Sequence, residues 1–472
     1  MSDLHELTAA EQLRALRAGE ISSLDLTEHY LDRIERHPEL GAFVTVTADL
    51  AREEAARADE RLARGEHAPL LGLPLGIKDL HATAGVRTTF GSAPLKDHVP
   101  TEDAWTVGLL RQAGAVLVGK TNAPEFGPTC YTENDVTDLP AVTPYDLTRY
   151  ASGSSGGAAA AVAAGLLPLG HASDGAGSTR TPASTCHLVG VKPSRGLLSS
   201  APASTFHASA TEGPITRTVE DAALVLDVMA QPWAGDLHGW RPATPFAEAI
   251  TRPVGALKVG VWTDTGLDDG PHPESVRAVE RTTALLRQLG HEVQEIALPA
   301  RYDDSVNQAL RVWFASSVGV AVPTLVPAEQ HHLLRPYTRH LVENAATLTA
   351  GDVVLAQGLL ARYASTFLAA LEPFDVVVTP TTNGPPVQVG HYFANGVEGE
   401  ADLMLAWSCY TPWVNLTGQP AVSLPSHVDA DGLPHGVQLV GRRREDTALL
   451  ALSAQLETNA LWNDVHPPCW DQ

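Results

Sequence analysis

The sequence predicts an α/β fold in which helices cover both faces of a β-sheet. Short apolar segments alternate with helical ones along most of the chain, which is how such layers are built. At 472 residues and 44% hydrophobic content the chain can bury a large core. It carries no internal repeat and no low-complexity linker, so one large unit with decorations is the simplest organisation.

Residues 1–65 read as helices packed on the core of a single domain over residues 66–472. Ser22 and Ser23 can cap a helix in which Leu24, Thr27, Tyr30, Leu31 and Ile34 share a face. Ala51 to Arg64, rich in Ala, Glu and Arg, is a second and more solvated helix. From Pro69 to Leu80 short apolar residues are broken by Gly and Pro, as in a buried strand with turns. Ala115 to Gly119, Lys258 to Trp262 and Asp375 to Thr379 are further short strands. Asp103 to Ala113, Val219 to Ala230 and Pro273 to Leu289 are helices between them. The stretch 233–253, rich in Pro, Trp and Gly, is a surface excursion.

A formal net charge of -23 repels phosphate backbones and anionic membranes, which argues against both as partners. The four cysteines are far apart and lack Cys-x-x-Cys spacing. They read as reduced thiols of a cytoplasmic protein rather than a disulfide frame or a zinc site. The polar, acidic start from Met1 to Glu11 is no secretory signal. The longest apolar run, Ala158 to Leu169, is shorter than the roughly 20 residues a membrane span needs and reads as a buried helix. Neither a cofactor nor a metal is expected. Only five lysines occur, Lys78, Lys96, Lys120, Lys192 and Lys258, against many arginines. A lysine kept in such a chain points to what arginine cannot do, which is lose its proton when buried.

Two loops carry the chemistry. The first is Ser152-Gly153-Ser154-Ser155-Gly156-Gly157, leading into the apolar run; the second is Ser173-Asp174-Gly175-Ala176-Gly177-Ser178-Thr179-Arg180. Small residues let backbone approach a substrate, and successive N–H groups can converge on one oxygen. Single Gly-Ser clusters are ordinary loops; two of them flanking one buried helix are not. Neither ends in the Gly-Lys-Ser/Thr of a P-loop, and no dinucleotide fingerprint is present. Gly153-Ser154-Ser155-Gly156-Gly157 also fits the Gly-x-Ser-x-Gly elbow, which would make Ser155 the nucleophile but leave the second loop and Lys78 without a task. A serine nucleophile needs a base; the nearby His171 and His187 read as structural.

From about Leu71 to Glu457 the chain resembles the amidase-signature hydrolases. Gly72-Leu73-Pro74-Leu75-Gly76-Ile77-Lys78-Asp79, Gly119-Lys120-Thr121-Asn122 and both serine-glycine loops carry the likeness. So do Gly190-Val191-Lys192-Pro193, Gly213-Pro214-Ile215, Thr379-Pro380-Thr381 and the run Asn415 to Ala421. The chain departs from the usual pattern at Ser152, Ala176 and His187, where the family commonly has Gly, and at Ala158, where it commonly has Ser. The Asp-x-Ala-Gly-Ser form makes it most similar to the members that hydrolyse nylon oligomers (6-aminohexanoate cyclic dimers).

The resemblance implies a central mixed, twisted sheet and a catalytic domain over residues 66–472. It implies Ser178 as nucleophile, Ser154 as proton relay following a cis peptide, and a neutral Lys78 as base. It alone prefers Ser154 over Ser155. The N–H groups of Gly175, Ala176, Gly177 and Ser178 would form the oxyanion hole, with Asp174, Arg180 and Ser155 supporting the loop; Lys120 and Lys192 would be structural. Ala176 then requires a backbone free of strongly positive φ. Tyr131, Trp313, Phe314, Trp407, Tyr410 and Trp413 are candidate pocket residues for an apolar, aryl or linear aliphatic small-molecule amide, with carbamates and esters open to the same chemistry. Homodimers are common in the family, which also includes the glutaminase-like component of a tRNA amidotransferase. Ala176 and the aromatic-rich last third argue against that component here, and the presence of all three catalytic residues argues against a non-enzymatic binding module.

Overall fold

The structure, a computed structural model, describes residues 4–201, 209–460 and 462–472. Eleven strands form one mixed sheet, in the spatial order Phe43–Val46, Val116–Thr121, Pro74–Lys78, Leu169–Asp174, Thr211–Thr216, Val189–Lys192, Ala421–Val428, Pro434–Gly441, Val376–Pro380, Lys258–Val261 and Glu292–Glu295. Pro74–Lys78 pairs in parallel with both neighbours, as does Lys258–Val261. The remaining pairs are antiparallel.

Alternation along the strands explains the two covered faces. In Val116–Thr121, Val116 and Val118 join a core with helix Gly156–Ala163 on one side. Leu117 turns the other way, into a core with helices Trp105–Gln112 and Val219–Met229. The α/β layering expected from sequence is therefore present, and the predicted strands and helices fall within a few residues of their observed ends.

Three expectations change. The first 65 residues are not all helix: between helices Ser23–Arg36 and Ala48–Ala63 the chain supplies the edge strand Phe43–Val46. A strand this short and half-buried has too few alternating residues to stand out in sequence. In the first of those helices Leu24 is 37% exposed, and Ser23 and Leu26 rather than Leu24 begin the buried face. The run from Ala158 to Leu169 is a helix only to Ala163; Gly165 at φ 67 turns the chain and Leu169 opens the next strand.

Among the described residues, helix Ala350–Leu371 is long and apolar enough to cross a membrane. The length of the 158–169 run does not cover that case. Its Leu360, Tyr363, Phe367 and Leu371 are buried, with Phe367 stacked on Trp413 at 4.6 Å, while Val354 and Leu355 on its other side are exposed. The 233–253 stretch is largely exposed up to its anchor, the buried Phe246, whose N–H donates to Asp227 at 2.6 Å. The four cysteines form no disulfide.

Candidate active site

Lys78 ends a central strand, and Ser173 and Asp174 end the parallel strand beside it. Carboxyl ends of parallel strands are where an open α/β sheet places its sites. The Lys78 ammonium is fully buried and donates to Ser154 Oγ at 2.9 Å, Ser155 Oγ at 2.8 Å and Ser173 Oγ at 3.0 Å. Burial lowers its pKa to about 7, against the opposing pull of the Asp174 and Glu212 charges. Lys120 and Lys192 are also buried and lowered, to about 8 and about 7. A depressed pKa alone therefore does not single out Lys78. Contact does: Lys120 donates to the His81 carbonyl, Thr83 and Thr88, and Lys192 to the Pro193 carbonyl, whereas only Lys78 meets the serine loop.

The two loops are stitched together. The Ser155 N–H donates to the Ser178 carbonyl at 3.2 Å, and Thr181 Oγ1 to the Gly153 carbonyl at 3.2 Å. The Gly153–Ser154 peptide is cis. Helix Gly156–Ala163 can start this close because Gly157 has no side chain: a Cβ there would lie 2.3 Å from the Asn122 nitrogen.

Asp174 shapes the second loop. Its carboxylate accepts the N–H groups of Gly177 at 2.7 Å and Thr179 at 3.2 Å. It also pairs with the fully buried Arg180 through Nε and Nη2, each at 2.8 Å. Burial pushes Asp174 up most strongly, but the Arg180 charge and hydrogen bonds, the Lys192 charge and the Asn415 hydrogen bond together outweigh it and hold the carboxyl far below the usual range. Arg180 also reaches Gln438 and Asn415, and Asn415 Nδ2 donates to the Asp174 carbonyl and carboxylate, each at 3.0 Å. Removing one partner of a buried pair strands the other charge. Asp174→Ala is therefore expected to cost about 3–5 kcal/mol in denaturant unfolding.

One member of the expected oxyanion hole drops out. The Gly177 N–H is turned onto Asp174, leaving Gly175, Ala176 and Ser178. Gly177 sits at φ 134, and a Cβ would lie 2.3 Å from Thr411 Oγ1, so no side chain fits. Ala176 avoids positive φ, as its side chain requires, and its carbonyl accepts from Thr411 Oγ1 at 2.6 Å. Ser178 is half-buried and faces a cavity of about 770 Å³.

The chain matches the Amidase family model over residues 25–450. It belongs to the amidase family. The "Putative amidase AmiB2" of Mycobacterium bovis is 39% identical, with 99% of each chain covered. A glutamyl-tRNA(Gln) amidotransferase component from Desulforapulum autotrophicum is 36% identical, over 96% of this chain and 97% of that one. Among solved structures, 6-aminohexanoate cyclic dimer hydrolase complexed with substrate superposes at TM-score 0.90 and 29% identity, covering 99% of this chain and 100% of the other. A bacterial aryl acylamidase does so at TM-score 0.90 and 28% identity, covering 100% and 99%.

Of the three places where this amidase departs from the family's glycine, Ser152 and His187 are left-handed and Ala176 is not. Ser152 has φ 65 and His187 φ 57, a region that costs a side-chain-bearing residue about 1–2 kcal/mol. Ser152 offsets this through Oγ, which donates to the Cys130 carbonyl and meets Thr181 Oγ1, each at 3.0 Å.

Of the six aromatic candidates, Trp313 and Phe314 line the cavity, joined by Phe126 and Tyr337. The other four are core. Tyr131 donates to Glu400 at 2.8 Å and stacks on Tyr392. Trp407 Nε1 and Tyr410 Oη donate to the carbonyls of Pro385 and Thr263. Trp413 is buried between Phe367 and Trp262. All four have a polar handle that finds a home inside, or a stack that covers the ring, and position along the chain does not reveal either.

Sequence reasoning also missed the buried cluster of Glu212, His171 and His81. His171 Nε2 donates to Glu212 at 2.6 Å, and His81 lies 3.5 Å from its other oxygen. Burial lowers His171 to about 4, so it stays neutral at pH 7. Its ring lacks contact with either serine loop in the hydrogen-bond network of the described residues.

Proposed function

We propose that this amidase hydrolyses a carboxylic amide through an acyl-enzyme on Ser178, with Ser154 and Lys78 moving the proton. One observation carries the reading: a buried lysine lowered to about 7, 2.9 Å from Ser154 Oγ, beside the Ser178 loop. In neutral form Lys78 takes the Ser154 proton, Ser154 takes that of Ser178, and the freed oxygen attacks the carbonyl. Gly175, Ala176 and Ser178 then offer N–H groups to the oxyanion, each worth about 3 kcal/mol of barrier. The relay returns the proton to the departing amine, and water clears the acyl group by the same path. Residues 66–472 form the catalytic unit, with the N-terminal segment packed on it.

The substrate class follows the cavity. Trp313, Phe314 and Leu310 favour an apolar acyl or amine group, as in an aryl amide or a linear aliphatic amide of the nylon-oligomer kind. Carbamates and esters pass through the same acyl-enzyme. The chain alone is expected to cleave chromogenic anilides, and Trp313→Ala to raise KM for them about tenfold. A second reading, a glutaminase-type component of a larger assembly, is supported by the amidotransferase relative. Hydrolysis of glutamine, with no anilide cleaved by the isolated chain, would favour it.

A further inference from the structure

A second cavity of about 770 Å³ adjoins the Ser178 cavity; Ser209 and Trp313 line both. Its other wall carries Arg195, Arg443 and Arg444. Such a gathering of guanidiniums runs against a net charge of -23. Among the described residues none of the three forms a salt bridge, whereas the adjacent Arg442 finds Asp375 at 3.4 Å. Arg195 spends Nη2 on the carbonyls of Asn415 and Leu416, at 2.7 and 3.1 Å. Its Nε is buried with no hydrogen-bond partner among the described residues. Arg444 is fixed by its backbone N–H, which donates to Ser194 Oγ at 2.8 Å, and by its place over the Trp240 ring. Burial and the Arg443 charge both disfavour the Arg195 cation, a penalty that a bound anion relieves.

Asn415 ties this cavity to the reaction centre. Its side chain holds Asp174 at the base of the Ser178 loop, and its carbonyl receives Arg195. One residue therefore separates the arginine wall from that loop. We infer that the second cavity is a subsite for an anionic end of the substrate, so that the preferred amide carries a carboxylate beyond Trp313. This rests on the amidase reading above.

The test pairs neutral 4-nitroanilides of monocarboxylic acids with those of dicarboxylic acids of equal chain length. A parallel pair places the carboxylate on the amine side. In one pair the charged member is expected to win by about tenfold or more in kcat/KM, chiefly through KM, and more so at low salt. Arg443→Gln and Arg444→Gln are each expected to shrink that ratio, and the double variant to bring it near one. Inorganic phosphate is expected to compete with the charged substrate. Equal rates for both members of both pairs, or a ratio untouched in the double variant, would overturn the inference. Calorimetric phosphate binding without any carboxylate preference would overturn it too, assigning the cavity to a free anion. The neutral anilide reads the amidase reaction separately: if it and every charged amide stay intact, the amidase reading has failed first.

Discussion

Ser178→Ala is expected to lower kcat on a cleavable amide by about 10⁴- to 10⁶-fold, the scale of losing a serine nucleophile that acts as one unit with its base. Folding should be spared. Ser178 is half-buried, and in the hydrogen-bond network its backbone carbonyl, not its hydroxyl, ties the two loops together. A fluorophosphonate should label Ser178 in the parent protein and nothing in the variant. Labelling at Ser155 would instead support the strand-turn-helix elbow. Ser155 is fully buried, and its Oγ is 2.8 Å from Lys78 Nζ and donates to the Ser173 carbonyl at 3.2 Å. That hydroxyl faces inward, away from a bulky probe.

Lys78→Ala is expected to cost a comparable factor, and Lys78→Arg to rescue nothing, because guanidinium stays protonated. In the parent, kcat/KM should fall about tenfold per pH unit below the ionisation near 7 and level off above it. A bell with a histidine-like limb would contradict the scheme. The same group leaves a mark on stability. Its folded value, about 7, lies below the ordinary 10.5, so between those limits the unfolded chain binds more protons than the folded one. Stability from this site therefore rises with pH across that window, and its cost is greatest below pH 7. The stability of the parent relative to Lys78→Ala should rise through that range, by at most about 1.4 kcal/mol per pH unit.

Much of this was legible in one dimension because the relevant signals are local. Layering follows from the alternation of strand and helix patterns, and the family from strings such as Gly72 to Asp79 and Asn415 to Ala421. The scarcity of lysine drew attention to Lys78, yet three of the five lysines are buried with lowered pKa. What separates them is which side chains cross the sheet to meet them, and that is a long-range fact.

The oxyanion loop shows the same division. Its small residues are read directly, and the glycine at 177 answers to a φ of 134. The diversion of the Gly177 N–H onto Asp174 could not be read, since it depends on Arg180 holding that carboxylate and on Asn415, distant in sequence, holding both. Aromatic residues were the least legible. Trp313 and Trp413 are chemically alike, and only tertiary packing separates them: Trp413 is enclosed between Phe367 and Trp262, whereas Trp313 stays part-exposed at the cavity.

The sequence by itself determined the layers, the family and the two loops, because periodicity and small-residue motifs act over a few neighbouring positions. The tertiary structure decided which lysine meets the serines, which N–H groups remain free, and which rings and arginines face the two cavities. Burial and the contacts that fix these groups join residues from tens to hundreds of positions apart, as Lys78 meets Ser154 and Asn415 meets Asp174, and no local pattern encodes them.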